Sequence, residues 1–263
     1  MKESVEGEAT PNVIAIVQAR MTSSRLPGKV LRPLHGHAMI LQQLERIRQV
    51  QRIDRIVVAT SVDPSDDILC KVLAQHGIEV VRGPLNDVLA RFLCVLGEDR
   101  ESIVVRLTAD CPLISPAVIT EAVEAFNSTD VDYLSNTLEP TFPDGLDVEV
   151  VSASALHAVA LIATDPDELE HVTLGIYRRP ENFKLGKLIG NEDHSNLRWT
   201  VDNLEDFHFV EAIYGALYDS NPHFEFEDVL RLLAEGTIIS RTTRDAKRNS
   251  ALDGKATGAM RHR

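Results

Sequence analysis

Apolar residues recur along this chain in two alternating rhythms. Val13 to Val17 is a short unbroken apolar run, the pattern of a strand buried on both faces. Met39 to Gln49 follows with Met39, Leu41, Leu44 and Ile47 at helical spacing, and Arg55 to Ala59 predicts a second strand. Pro64 to Gln75 predicts a helix carrying Ile68, Leu69, Val72 and Leu73 on one face. Glu79 to Arg82 then predicts a short strand, Val88 to Leu96 a helix, Ser102 to Leu107 a strand and Pro116 to Phe126 a helix. Strands and helices taken in turn predict a parallel sheet with helices on both faces.

After Asn127 the rhythm changes. Asp132 to Ser135, Leu146 to Val151, Phe183 to Leu188 and Leu197 to Val201 read as strands separated by loops. Ser154 to Ile162, Leu204 to Tyr218 and Phe226 to Leu233 read as helices. No repeat of solenoid period and no Gly/Ser linker divides the chain. The expectation is one mixed α/β domain over residues 13–240, with an inserted, partly antiparallel lobe at about 130–195.

Ligands of open parallel sheets bind outside the carboxyl ends of the strands. Gln18 to Lys29 (QARMTSSRLPGK) leaves the first strand there and carries Arg20, Arg25 and Lys29 among Thr22, Ser23, Ser24 and Gly28. Backbone N–H groups near a helix start, together with cations, suit a polyphosphate. The loop is neither GxxxxGK[ST] nor GxGxxG, and charge and position alone fit a solvated surface equally well. Asp110 and Asp202 each follow a predicted strand and so reach the same edge. Two carboxylates facing three cations are reconciled by a divalent ion carrying a triphosphate, since Mg2+ takes one or two carboxylates and fills its shell from phosphate and water.

VQARMTSSRLPGKVLRPLHGHAMI resembles the opening signature of the sugar nucleotidyltransferases, specifically the cytidylyltransferase branch. That branch holds the CMP-KDO and CMP-sialic acid synthetases and the SpsF family of spore coat polysaccharide biosynthesis proteins. The resemblance continues through VRLTADCPLI, DYLSNT, TFPDGLDVEVV, EHVT and LRWTVDNLEDF, covers roughly Val13 to Leu217, and in its later blocks follows the SpsF-like group. It implies a Rossmann-like three-layer sandwich of the nucleotide-diphospho-sugar transferase (GT-A-like) type, mostly parallel. It also implies Mg2+-dependent transfer of CMP from CTP to a sugar or sugar acid with release of pyrophosphate. Asp110 and Asp202 are then the metal ligands, and Gln18, Ala19, Arg20, Ser24, Arg25, Lys29, Arg106 and Thr108 surround the nucleotide, with Arg20, Arg25 and Lys29 catalytic. The acceptor falls to Ser135, Asn136, Asp144, Asp147, Glu149 and His171. Alternation puts Asp147 and Glu149 on one face of a strand, opposite Val148 and Val150, an acidic pair that suits hydroxyls or an amine. Related synthetases dimerise through the second lobe, so the resemblance admits a homodimer.

The net charge of −13 is uneven: residues 241–263 carry seven Lys/Arg and two Asp/Glu, net +5, which leaves −18 on the rest. An acidic body argues against nucleic acid as partner. The basic tail lacks aromatic residues and periodicity, so disorder is expected there and over residues 1–12. No apolar run is long enough to span a bilayer, and the acidic opening does not read as a signal peptide. Cys70, Cys94 and Cys111 are an odd set without metal spacing, which suits a reducing compartment and a cytoplasmic enzyme. Two other readings stay open at this point. A glycosyltransferase would place a DxD at Asp130-Val131-Asp132, and a non-catalytic nucleotide-binding module would need no acceptor site.

Overall fold

The computed structural model describes residues 11–243. The acidic opening and the basic tail, for which disorder was expected, fall almost entirely outside the described residues. In chain order the elements are β1 (Val13–Gln18), β2 (Pro33–Leu34), β3 (His37–Ala38), α1 (Met39–Ile47), β4 (Arg55–Ser61), α2 (Asp67–Gln75), β5 (Glu79–Gly83), α3 (Val88–Leu96), β6 (Ile103–Thr108) and α4 (Pro116–Asn127). The second half adds β7 (Tyr133–Ser135), β8 (Glu149–Ser152), α5 (Ala153–Ala160), α6 (Pro166–Glu170), α7 (Leu174–Tyr177), β9 (Leu185–Lys187), α8 (Leu204–Leu217) and α9 (Phe226–Ala234).

Seven strands form one sheet in the order β5-β4-β1-β6-β8-β7-β9. β1 pairs in parallel with β4 on one side and β6 on the other, while β8 runs antiparallel to both β6 and β7. The strands after residue 130 therefore extend the main sheet, and β2 with β3 makes a separate small hairpin. Both faces of β1 are covered, as its unbroken apolar run predicts. Val13, Ala15 and Val17 pack with α1, α4 and α8, whereas Ile14 and Ile16 pack with α3 and α5. That gives the three layers. Among the described residues no helix is long and apolar enough to cross a membrane.

Some expected elements differ. Pro64–Asp66 is a 3-10 turn ahead of α2, and on α2 Leu69 and Leu73 are buried while Ile68 is 49% exposed. The buried stripe follows i, i+4 instead of the whole apolar set. Leu197 to Val201 is extended but joins no ladder; it makes single bridges, Asp144 with Arg198 and Leu197 with Thr242. Its apolar alternation is spent on burying Trp199 and Val201 against the core, and among the described residues its backbone is met by Asp144 and by the short segment 241–243. The strand expected over Leu146 to Val151 pairs only from Glu149 onward.

The chain crosses from one side of β1 to the other between β5 and β6. That makes the β1/β6 edge a topological switch point, where such sheets open a crevice beyond the strand ends.

Candidate active site

A cleft of about 470 Å3 opens at this edge. β1 ends at Gln18, and Ala19 N–H still bonds Ala59 O at 3.1 Å, so the loop leaves in register with β4. Met21 O then accepts from Ser23 N–H at 3.0 Å and Gly28 N–H at 2.9 Å, folding the loop on itself. Gly28, in the left-handed region with φ 71°, starts the 3-10 turn that begins at Lys29. The Lys29 side chain, only 10% exposed, points back under the loop. Its ammonium donates to Asp110 Oδ2 at 3.1 Å, Asp202 Oδ1 at 3.2 Å and Val201 O at 2.7 Å.

The two aspartates come from segments that are stitched together. Val201 N–H bonds Asp110 O at 2.8 Å, and the Thr200 hydroxyl donates to the same carbonyl at 3.3 Å. Asp202 is held by three cations: Oδ1 by Lys29 and by Arg25 at 2.9 Å, and Oδ2 by Arg198 at 2.7 Å. Arg198 is almost wholly buried and also pairs with Asp144 at 2.7 Å and Asp206 at 3.3 Å. Gly145 lets this approach happen: its φ is 114°, and a Cβ there would lie 2.5 Å from Thr200 N.

Electrostatics follow from this packing. Burial alone would raise the Asp110 pKa, but the Lys29 charge and the Thr108 hydroxyl outweigh it and hold the carboxyl down to about 2. Burial likewise pulls Lys29 down, and Asp110 and Asp202 more than offset that, so its pKa is raised. Lys29 and Asp110 therefore both carry their charges at neutral pH.

The opposite wall contains a second polar network. Arg106 donates to Gln18 Oε1 at 3.1 Å and pairs with Glu149, whose other oxygen accepts from Tyr133 OH at 2.8 Å and from the Thr173 hydroxyl. His171 borders this network, and burial followed by the Arg106 charge lowers its pKa. Val172, buried beside it, has φ 54°, a strained conformation for a β-branched residue. The strained turn aims His171 and Thr173 into the same cleft. Arg20 reaches across to Glu170 at 3.5 Å, both partly exposed.

Gln18, Ala19, Arg20, Ser24, Arg25, Lys29, Arg106, Thr108, Asp110, Asp144, Asp147, Glu149, His171 and Asp202 thus all line one cleft. Ser135 and Asn136 stand apart from it. The Ser135 hydroxyl contacts Val148 O and Thr137 Oγ1, and the Asn136 amide pairs with Leu146 O and Val148 N–H, so their polarity is used to brace an irregular backbone. The expected alternation of Asp147 and Glu149 does not present both acids freely, because Glu149 is committed to Arg106, Tyr133 and Thr173. Sequence reading missed Arg198, Glu170 and Thr173. A lone arginine inside the apolar run LRWTV was the available signal for Arg198.

Asp130 and Asp132 lie outside the cleft, where Asp130 pairs with Lys184 at 2.6 Å and Asp132 accepts from Lys184 N–H at 2.8 Å. A family model described as Cytidylyltransferase matches residues 14–238. The chain belongs to the cytidylyltransferase family. This cytidylyltransferase is 34% identical to the spore coat polysaccharide biosynthesis protein SpsF of Bacillus subtilis over 212 residues, 77% of this chain and 86% of that protein. A solved cytidylyltransferase from Leptospira borgpetersenii superposes with a TM-score of 0.80 at 27% identity, covering 87% of this chain and 95% of that one. The CTP complex of CMP:2-keto-3-deoxy-manno-octonic acid synthetase shares the fold, with a TM-score of 0.61 at 16% identity over 78% of this chain and 99% of that one. The cytidylyltransferase is therefore a nucleotidyltransferase enzyme, and the glycosyltransferase and non-catalytic readings fall away.

Proposed function

We propose that this enzyme transfers CMP from CTP to a sugar or sugar acid for polysaccharide precursor synthesis, with Mg2+ held by Asp110 and Asp202. The observation that carries the reading is the convergence of both carboxylates on one cation, the Lys29 ammonium, at the mouth of the sheet. Two acids aimed at a common point fit a metal that completes its shell from phosphate and water. When bound, Mg2+ neutralises charge on the phosphate oxygens.

The protein's own residues supply position and charge. Arg25 and Arg20, both partly exposed, would hold the triphosphate as two-pronged donors, with the buried Lys29 beneath them as a point charge. An acceptor hydroxyl seated near Asp144, Asp147 and His171 would attack the α-phosphorus in line. The new oxygen–phosphorus bond forms as the bond to the β-phosphate oxygen breaks, and pyrophosphate leaves with the bonding pair. The loop cations stabilise the charge that accumulates on the leaving group. His171, its pKa lowered, is neutral at pH 7 and can accept the acceptor's proton. The reading includes a cytoplasmic setting and a homodimer.

The test is pyrophosphate release from CTP and Mg2+ with a panel of sugar acids and sugar phosphates, in the wild type and in Asp110→Ala. Release that needs acceptor and falls at least a hundredfold in the variant is expected. Near-native turnover of Asp110→Ala would refute the assignment.

A further inference from the structure

The Asp66 carboxylate is completely buried between the end of β4 and the start of α2, and it is not part of the cleft wall. Its Oδ2 accepts from Ser61 N–H at 3.2 Å and from the Ser61 hydroxyl. Its Oδ1 accepts from the backbone N–H of Met21 at 2.7 Å, across 45 positions of sequence. A buried carboxylate is costly unless its oxygens are met by donors, and here one of the donors belongs to the cation loop.

Met21 is the fixed point of that loop. Its N–H is gripped from outside by Asp66, while its carbonyl closes the loop from inside through Ser23 N–H and Gly28 N–H. Arg20 sits between this anchor and Ala19, itself tied to Ala59 O. Lys29 follows directly on Gly28. A shift of the Met21 peptide would therefore carry both ends of the cation set with it.

We propose that Asp66 is a positioning residue for the triphosphate grip, setting the loop's height above the sheet edge through the Met21 peptide. The inference rests on the reading of this loop as the triphosphate site. Its effect must fall on ligands with β- and γ-phosphates and spare those without them, because the loop cations act at that end of the nucleotide.

The experiment is calorimetric titration of CTP and of CMP, with Mg2+ and no acceptor, into the wild type, Asp66→Asn, Asp66→Ala and Ser61→Ala. Asn offers one acceptor and one donor where two acceptors are needed, so it keeps the shape and loses the match. Affinity for CTP should fall about tenfold in both Asp66 variants, because a loop released at Met21 must be ordered again when the triphosphate binds. CMP should be unchanged. Ser61→Ala, which leaves the Met21 bond in place, should bind both like the wild type. Wild-type CTP affinity in Asp66→Asn overturns the proposal, as does an equal loss for CTP and CMP, which would mark the carboxylate as general scaffolding. A wild type that binds no CTP at all sinks the triphosphate reading itself. Hydrogen exchange on the wild type gives a check that needs no variant: the Met21 amide should exchange far more slowly than that of Ser24, and equal rates overturn the anchor.

Discussion

Replacing Lys29 by Met removes the ammonium from between Asp110, Asp202 and Val201 O while keeping most of the stem. Asp202 retains Arg25 and Arg198, so the loss falls mainly on Asp110 and on the bared carbonyl. Breaking a buried pair from one side costs about 3 kcal/mol at the low end of the usual range. The Asp110 carboxyl is itself held from 3.8 down to about 2. At 1.36 kcal/mol per unit, full loss of that shift is about 2 kcal/mol, part of which belongs to the Thr108 hydroxyl. For a domain of this size 2–3 kcal/mol is about 5–10 °C in Tm. The pH dependence fixes the sign. A carboxyl with a depressed folded pKa stabilises above its unfolded value and loses that contribution as pH falls toward the folded one. In EDTA the gap between wild type and Lys29→Met should be full at pH 7, begin to narrow as pH falls through the variant's Asp110 pKa, which burial without Lys29 holds above 3.8, and go on closing toward about pH 2. The variant also leaves two acids facing one point without their resident cation, so Mn2+ alone, followed by electron paramagnetic resonance, should bind it more tightly than the wild type. Unchanged melting at pH 7, or a gap that does not shrink in acid, would show that Lys29 is not the counter-charge of Asp110.

Two further outcomes follow from residues on either side of the cleft. Gly145→Ala puts a Cβ at 2.5 Å from Thr200 N and 2.6 Å from Trp199 C, on a backbone with φ 114°; denaturant melts should show a loss of at least about 3 kcal/mol, larger than ordinary point substitutions produce. His171 has its pKa lowered by burial and then by Arg106, so the unfolded chain takes up a proton there at higher pH than the folded one. Stability should therefore fall as pH drops below about 6.5, and His171→Gln should flatten that part of the Tm profile; a slope identical to wild type would disprove it.

The parallel half of the sheet was legible because its signals are local. β1, β4 and β6 announce themselves by apolar runs, and the loop after β1 by three cations in ten residues. The convergence of Asp110 with Asp202 could be expected from strand-end placement. Arg198 could not be placed, since two of its partners, Asp144 and Asp206, lie on segments whose approach depends on the Gly145 turn and on the capping box at Asn203. Ser135 and Asn136 show the opposite error. Their short polar side chains read as ligand groups, yet they serve the backbone at Leu146 and Val148, and nothing local distinguishes the two uses. Leu197 to Val201 carries strand alternation because it is buried, and burial alone writes that alternation with or without a ladder.

The bond from Lys29 to Val201 O spans 172 positions. A growing polypeptide can therefore assemble its first strands and its cation loop long before the second acid exists. Until Asp202 emerges, Asp110 is the acid that answers the ammonium, and on the proposed mechanism one of the two metal-holding carboxylates is still missing. The meeting of cation loop and acids thus joins segments 172 positions apart, and it forms only once both have folded onto the same sheet edge.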